Sequence, residues 1–344
     1  MNRIRNLVKK KMNLQRFAAS DAIDRTGAEA LISEQVANEI IQGVAEQSAV
    51  LRMGRKLPNM SKKKYRMPVL DMLPVAYWVA GDTGFKQTSK MAWKNKYITA
   101  EELAVIIPIP EAVLDDADYD IWGEVRPRAV EALGKKIDAA VIFNEEKPDT
   151  WRDGLVKGAT DAENVVTLGA SSNLYDVIMG EGGVIAKVEE SGFFASGHMA
   201  DITMRAKLRG LKDTTGQPIF KSDMQGATSY ALDGSPIDFP RNGVFDKSKA
   251  LMITGDFSQL VYSIRQDVTY KLLTEATIVD PSTKEVIYAL AQQDMVALRI
   301  VMRLGWEIPN PINSLKSKEA ERFPFAVLAP EAAETDDEEE DLGV

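Results

Sequence analysis

This sequence is poor in two side chains that commonly act in catalysis, cysteine and histidine. The 344 residues include no cysteine and one histidine, His198. This composition excludes disulfides, cysteine nucleophiles and thiolate metal sites, and it leaves no second imidazole. Mechanisms based on carboxylates, lysine or a serine–lysine pair are not excluded by it. Because His198 follows a glycine and has no evident partner in the sequence, we expect a structural histidine.

The acidic and glycine-rich motifs match no ligand-binding loop. Asp116, Asp118 and Asp120 lack the glycine and the distal glutamate of a calcium loop. The aspartates between residues 256 and 280 form no recognisable metal loop. Residues 180–187, GEGGVIAK, lack the Gly-Lys-Ser/Thr order that binds phosphates. The sequence therefore predicts no catalytic residue, no cofactor and no metal site.

Charge is distributed unevenly along the chain. The formal net charge is −9, but residues 1–16 contain six bases and no acid, and the last fourteen residues contain eight acids and no base. Without the charges at these two ends, the rest of the chain has a net charge of −7. This acidic balance disfavours nucleic-acid binding by the folded body. We expect the acidic end to be disordered, with a docking peptide as the alternative. Since no apolar run is long enough to span a membrane, the expected location is the cytoplasm.

A strand followed by a long helix is the main predicted structural element. Residues 104–109 are apolar but include Pro108, and Pro110 follows, which favours a strand. An acidic cluster then favours a helix start. From Ile121 to Val141 an apolar residue recurs at every fourth position, which predicts one long helix. Pro127 would either kink this helix or mark its first turn.

Residues 27–51 predict an amphipathic helix, and residues 58–99 predict extended chain, both before that strand. The first has apolar residues at helical spacing, Ile40 and Ile41 among them, and would pack on its own domain or as a strap on a neighbouring subunit. The second predicts a long β-hairpin, in which Trp93 and Tyr97 alternate with lysines. Its aromatic residues could stack on nucleic-acid bases, or they could be buried on another subunit while the lysines face solvent. The acidic body favours the second interpretation.

The remaining chain predicts a mixed region of short elements and polar loops. A helix is expected around residues 174–178 and a strand over 192–208. Two further strands, 251–254 and 260–264, are expected on either side of a turn at 255–257. Residues 286–311 are apolar in long series and predict strands that return to the first domain.

Taken in order, these parts resemble the major capsid proteins of tailed bacteriophages, the Hong Kong 97-like family. The resemblance covers about residues 27–315. It is strongest in AYWVAGDTGFKQTSKMAWKNKYITAEELAVIIPIPEAVLDDADYDIW (76–122), GDFSQLVYSIRQD (255–267) and QQDMVALRIVMRLGWEIPNP (292–311). It implies an α+β fold with five parts: an N-terminal arm (1–57), an E-loop β-hairpin across an adjacent subunit (58–100), a peripheral domain with the long "spine" helix (101–150 and 285–314), an inserted axial domain (151–284) and a partly disordered acidic tail (315–344).

The resemblance also implies a function and partners. It implies a structural protein, not an enzyme, which forms hexamers and pentamers of an icosahedral shell around double-stranded DNA. The virion would assemble in the host bacterial cytoplasm, with scaffolding, portal and head-completion or decoration proteins, non-specific DNA contact and no membrane. Because only about 26 residues precede the predicted strap, scaffolding is expected from a separate protein or a short peptide.

Individual residues are assigned roles through the same resemblance. Some family members join subunits covalently through an E-loop lysine and an asparagine. Lys86 and Lys90 lie near the hairpin tip, but the sequence identifies no partner, so noncovalent packing is expected. Pro127 is the candidate hinge of the spine helix. The candidate contacts with neighbouring subunits are Lys86, Lys90, Trp93, Tyr97, Ile40 and Ile41.

Three alternatives remain at this stage. An encapsulin, a cellular shell around an enzyme cargo, would share the fold. An enzyme with carboxylate-only chemistry would need a cleft with paired acids of perturbed pKa. A nucleic-acid-binding module built on the hairpin predicts steeply salt-sensitive DNA binding.

Overall fold

The computed structural model describes residues 48–79, 85–118, 120–169, 172–212 and 230–331. The basic arm, the predicted strap residues Ile40 and Ile41, the hairpin turn at 81–84 and the acidic residues 332–344 lie outside the described residues. Within the described ranges, no helix is both long enough and apolar enough to cross a membrane.

Short helices and many strands alternate along the described chain. The helices are α1 (Ala49–Met53), α2 (Glu111–Asp115), α3 (Ile121–Phe143), α4 (Leu155–Asp161), α5 (Leu174–Met179), α6 (Val184–Glu190) and α7 (Met204–Arg209). The strands are β1 (Arg55–Lys56), β2 (Lys64–Met72), β3 (Ala92–Thr99), β4 (Glu101–Pro110), β5 (Val165–Leu168), β6 (Gly197–Ala200), β7 (Ala231–Leu232), β8 (Ser235–Asp238), β9 (Met252–Gly255), β10 (Val261–Leu273), β11 (Thr277–Val279), β12 (Val286–Ala289), β13 (Met295–Glu307) and β14 (Phe325–Pro330). The predicted strand, long helix and hairpin are thus confirmed.

The described residues divide into two compact units. The smaller unit contains 104–126 and 269–301, and the remaining described residues form the larger unit. In the smaller unit, Ile109, Val113 and Ile121 form one buried cluster. A second cluster lies beside the antiparallel pair β11–β12 and includes Leu290 and Met295. Each of these short elements buries apolar side chains against its neighbours, and this packing holds the elements together.

A six-stranded mixed sheet forms the main core of the larger unit. Its order is β5–β14–β9–β6–β8–β7. Helices α5, α6 and α7 contribute buried apolar side chains to the cluster on this sheet, among them Ile178, Val188 and Leu208. A further sheet has the order β1–β10–β13–β4. Strand β14 lies between β9, to which it is antiparallel, and β5, to which it is parallel.

The long helix α3 carries a buried carboxylate that holds the first described residues. Asp138 accepts hydrogen bonds from Ala49 N at 2.9 Å, from Val50 N at 3.1 Å, from Asn242 Nδ2 at 2.6 Å and from the Ser48 hydroxyl. Burial raises the pKa of Asp138, and these hydrogen bonds offset part of that effect. The donors to Asp138 include free N–H groups at the start of α1, so one side chain caps α1 and joins it to α3.

Two sequence-based expectations are corrected by the structure. Residues 192–208 do not form one strand, because Asp201 accepts a hydrogen bond from Thr203 N at 2.9 Å and turns the chain into α7. The acidic tail does not begin at residue 315, because 325–330 form β14 and its residues 325–328 are buried in the six-stranded sheet. The tail prediction therefore applies only to residues after 331, which lie outside the described residues.

His198 is buried within the six-stranded sheet. Its Nδ1 lies 3.0 Å from Thr254 Oγ1 and its Nε2 lies 3.1 Å from Leu232 O. Both ring nitrogens therefore have partners within the fold, which confirms the expected structural histidine. Burial lowers the pKa of His198, and the hydrogen bond to Leu232 opposes only part of that effect.

This pKa shift predicts loss of stability in mild acid. The unfolded chain binds a proton at His198 near pH 6.5, before the folded chain does, so the free energy of unfolding should fall as the pH drops below that value. The slope from one proton is at most about 1.4 kcal/mol per pH unit. His198 is the one histidine in the sequence, so His198→Gln should remove the histidine contribution to this pH dependence. Urea unfolding between pH 7.5 and 5 measures the slope of the unfolding free energy in both proteins. Identical slopes for both proteins would contradict the prediction.

Candidate assembly surface

The hairpin formed by β2 and β3 is a two-stranded antiparallel sheet. Its register runs from Lys64 opposite Thr99 to Met72 opposite Ala92, with an irregularity between Leu70 and Met72. In the described structure these two strands form a sheet of their own, without a third strand. An isolated two-stranded ribbon is marginally stable in water, so this hairpin depends on contacts made by its faces.

One part of the hairpin surface is markedly apolar and exposed. Phe85 is 97% exposed, Trp93 62% and Tyr97 53%. The exposed large apolar residues in this part of the chain are Met72, Val75, Tyr77, Trp78, Val79, Phe85, Met91, Trp93 and Tyr97. We call these nine residues the hairpin apolar surface. Exposed apolar side chains in such number along one segment indicate a protein–protein interface.

Lysines on the alternate positions of β3 contact the chain near its C-terminal end. The Lys96 Nζ lies 2.6 Å from Glu319 Oε1 and donates to Ile308 O at 3.1 Å. The Lys94 Nζ lies 3.0 Å from Glu319 Oε2. On β2, Leu70 O accepts a hydrogen bond from Ile312 N at 3.1 Å. The base of the hairpin is therefore attached to residues 308–319 by its lysine-bearing face.

Two lysines change the ionisation of Glu319. Burial by itself would raise the pKa of this carboxyl group, but hydrogen bonds and charge attraction from Lys96 and Lys94 outweigh burial and lower the pKa from 4.5 to about 2. The hydrogen bond between Lys94 and Glu319 in turn raises the pKa of Lys94. Glu319 is thus ionised throughout the physiological pH range and holds both cations.

The segment that receives the hairpin is organised by one buried guanidinium group. Arg322 donates to four main-chain carbonyl oxygens, those of Pro311 at 3.1 Å, Ser317 at 2.6 Å, Lys316 at 3.3 Å and Asn310 at 3.2 Å. Each of these carbonyls would otherwise need a partner elsewhere. Arg322 therefore fixes the loop that presents Glu319 to the hairpin.

The end of β3 nearest the core is held by close packing. Trp151 Nε1 donates to Thr99 O at 3.0 Å, and the Trp151 ring lies edge-on to that of Trp306 with centroids 6.4 Å apart. A side chain at Gly305 would place its Cβ 2.4 Å from Thr99 O, so only glycine allows this approach. Ile98 is fully buried beside this contact.

The structure places the sequence-based candidates as follows. Lys86 and Lys90 are exposed on the distal part of the hairpin, while Trp93 and Tyr97 are exposed along β3. The expectation that the lysines of β3 face solvent is wrong for Lys96, whose side chain is only 13% exposed because it contacts Glu319. Sequence reasoning did not identify Glu319, since no local pattern indicates a partner more than 200 residues away.

The described residues give little support to an acid–base or metal site. Among them, no group of three histidine, cysteine or acidic side chains is arranged to hold a metal ion. A cavity of about 150 Å³ is lined in part by Glu101, Glu102 and Trp151. The three carboxylates that line it already pair with bases: Glu101 with Lys63 at 3.2 Å, Glu102 with Arg303 and Glu146 with Lys136. The cavity therefore lacks the free paired carboxylates that a glutamate-based mechanism requires.

Comparison with known protein families identifies the chain. A model described as "Phage capsid family" matches residues 28–316. The chain belongs to the phage capsid family. The matched region includes the hairpin, α3 and β13, and it accounts for most of the sequence. Membership in this structural family points away from an enzyme.

Known phage proteins are similar to this phage capsid family member over nearly its full length. The major capsid protein of Staphylococcus phage 80alpha is 27% identical over an alignment of 341 positions. The match covers 95% of this chain and 97% of that protein. A solved chain from Microbacterium phage Oxtober96 has a TM-score of 0.75 and 36% identity, and one from Mycobacterium phage Cain has 0.74 and 30%. Both comparisons cover 90% of this chain and 99% of the other. These similarities do not favour the encapsulin alternative.

The contact of Glu319 with the hairpin predicts a pH-dependent stabilisation. Because the folded pKa is about 2 and the ordinary value 4.5, the stabilisation should be complete above pH 4.5 and should disappear as the pH falls towards 2. Glu319→Gln should cost about 1 kcal/mol at pH 7, a value reduced for solvent screening, and less in high salt. Urea unfolding of the unassembled chain measures this difference.

A matched control lies two residues away. Glu321 pairs with Lys318 at 2.6 Å, but both side chains are largely exposed. Glu321→Gln should therefore leave the unfolding free energy unchanged within error. Equal losses in the two variants would show that Glu319 is not a specific anchor of the hairpin.

Proposed function

We propose that this phage capsid family member is the major capsid protein of a tailed phage. Many copies, arranged as hexamers and pentamers, would form an icosahedral shell around double-stranded DNA. The observation that carries this proposal is the family match over residues 28–316, together with similarity to a major capsid protein along 95% of the chain. The protein is then a virion component, and its assembly site is the cytoplasm of the host bacterium.

We assign the Hong Kong 97-like fold to this chain. The hairpin at 58–100 is the E-loop, 101–150 with 285–314 is the peripheral domain with α3 as the spine helix, and 151–284 is the axial domain. The separate two-stranded hairpin, the long helix and the six-stranded sheet with its helices support this assignment. Strand β14 joins that sheet, so the axial domain also includes residues 325–330. The N-terminal arm is assigned to residues 1–57.

The hairpin apolar surface is the proposed contact with an adjacent subunit. Its side chains gain nothing by exposure, and full burial of one large apolar side chain contributes about 1.5–3 kcal/mol. Trp93 and Tyr97 lie on the face of β3 that the attachment to Glu319 leaves open. A neighbouring copy that covers this face would remove the apolar surface from water without changing the hairpin base.

Other contacts complete the proposed assembly. Ile40 and Ile41 belong to the proposed strap on a neighbouring subunit. Lys86 and Lys90 are proposed to pack noncovalently, since lysine ammonium groups at an interface need only polar partners. Scaffolding, portal and head-completion or decoration proteins are the proposed partners. The acidic body implies weak, non-specific contact with the packaged DNA, because its acids outnumber its bases.

Substitution of the apolar surface should separate assembly from folding. Trp93→Ala with Tyr97→Ala removes two exposed aromatic side chains, so the urea unfolding of the unassembled chain should stay nearly unchanged. The concentration at which shells form should rise at least about tenfold, because each copy loses interface burial. Sedimentation and negative-stain microscopy, with a scaffold supplied if required, measure assembly.

Three results would each contradict one of these proposals. A natural chain that stays monomeric under all conditions, even with a scaffold, would contradict the capsid function. If the double variant formed shells at the same protein concentration as the natural chain, this would contradict the role of the hairpin face. Ladders of linked chains after boiling in detergent would show covalent joining and would overturn noncovalent packing of the lysines.

Pro127 is the proposed hinge of α3. It lies inside the helix, and the division between the two compact units falls between Arg126 and Pro127. Proline lacks the N–H that would bond to the carbonyl of Gly123, so the helix is weaker at this point. The bend of α3 should differ between non-equivalent subunits and should differ less in Pro127→Ala shells. Electron cryomicroscopy would contradict the hinge if the range of bends were unchanged.

A further inference from the structure

A small basic surface lies on the larger unit, far in sequence from the hairpin. Residues 204–212, MRAKLRGLK, contain four basic residues and no acidic residue. Lys207, Arg209 and Lys212 are exposed, and none of them forms an ion pair with an acid in the described part of the chain. We call these three residues the α7 basic surface. In a body with an excess of acids, three such cations within six residues form a local concentration of positive charge.

The α7 basic surface is held in place by its neighbours. Arg205, on the same helix, stacks on the Tyr230 ring at 4.5 Å and the Phe239 ring at 5.5 Å, while Met204 and Leu208 are buried in the core. The helix therefore cannot rotate to bring its exposed cations to acids elsewhere. Any acidic partner of these cations therefore comes from outside the described part of the chain.

The chain leaves the described structure beside this surface. Strand β14 ends at Pro330, and Glu331 lines an open pocket of about 430 Å³ together with Lys207, Gly210 and Leu211. Residues 332–344 follow, and they contain seven acids and no base. Thirteen extended residues span up to about 43 Å, far more than the length of α7. A polyanionic segment thus begins within reach of three cations.

We propose that residues 332–344 dock on the α7 basic surface of the same chain. The interaction is electrostatic, between tail carboxylates and the side chains of Lys207, Arg209 and Lys212. The occupant is the chain's own tail because its attachment at Glu331 gives it a high effective concentration at this pocket. A docked tail covers these cations and withholds them from nucleic-acid phosphates. This inference does not depend on shell assembly, and the unassembled chain tests it.

A second basic run provides an internal comparison. Lys62, Lys63, Lys64 and Arg66 lie at the start of the hairpin, where Lys63 pairs with Glu101 at 3.2 Å. This run has a similar number of cations, but it does not line the pocket at Glu331. A tail that responded only to positive charge would also contact this run, whereas a tail that docks as proposed prefers α7.

Crosslinking can test the proposal because the natural sequence has no cysteine. Ala206 and Ser61 are both exposed, the first beside Lys207 of the α7 basic surface and the second beside Lys62. The pair Ala206→Cys and Glu338→Cys is compared with the pair Ser61→Cys and Glu338→Cys, using a short bis-maleimide reagent on dilute, unassembled protein. In a neutral-tail version of each pair, the other six acids of 332–344 are replaced by asparagine or glutamine. This version keeps the length of the tail and its attachment at Glu331 but removes its charge.

The expected result is an intrachain crosslink between positions 206 and 338. It should form about fivefold or more faster than in the neutral-tail version at low salt, and this difference should vanish in 0.5 M NaCl. Replacement of Lys207, Arg209 and Lys212 by glutamine should reduce the rate to the neutral-tail value.

Several results would overturn the proposal. Equal rates with natural and neutral tails would show that only the tether matters. Faster reaction at position 61 would place the tail on the other basic run, and interchain products would assign it to a second copy. Retention of the natural full chain on double-stranded DNA, lost in the Lys207, Arg209 and Lys212 variant, would show that the surface is open to nucleic acid and not covered by the tail.

Discussion

A two-stranded ribbon has two faces and cannot bury both of them by itself. In the hairpin of this protein, one face contacts the rest of the chain and the other does not. Its lysine-bearing face is attached at the base, through Glu319 and the carbonyl of Ile308, to a loop that Arg322 holds together. Its aromatic face has no cover within the described structure and carries Trp93 and Tyr97 in solvent. An attached base with an open apolar face suits a segment that packs on another copy.

The rest of the larger unit provides a rigid support for this ribbon. Asp138 joins α3 to the start of α1 and to Asn242 through a single buried carboxylate. A Cβ at Gly134, one turn earlier in α3, would lie 3.0 Å from Ser48 N, so the chain passes very close to the helix at this point. Such a contact has little freedom to shift, because a buried carboxylate must keep its donors. The arm that precedes residue 48 therefore departs from a fixed position.

Charge has a different role in each part of the molecule. At the hairpin base, one glutamate between two lysines contributes to attachment because Glu319 and Lys96 are partly shielded from water. At α7, the exposed Lys207 lines the same pocket as Glu331, after which an acidic segment follows in the sequence. Exposed charges of this kind interact over several ångströms and respond to salt. The former arrangement fixes a geometry, and the latter suits reversible contact.

The sequence by itself determined the local secondary-structure elements and the lack of cysteine and of a second histidine. Spacing at every fourth position predicted α3, alternation predicted β3, and the absence of cysteine with a single histidine excluded cysteine nucleophiles, thiolate metal sites and paired imidazoles. Only the tertiary structure decided which face of the hairpin is open, that 325–330 enter the six-stranded sheet, and that Asp201 ends β6 and starts α7. The reason is physical. Periodicity reports how neighbouring residues share a face, whereas Lys96 with Glu319 and Asp138 with Ala49 are contacts between residues about 90 to more than 200 positions apart, which no local spacing encodes.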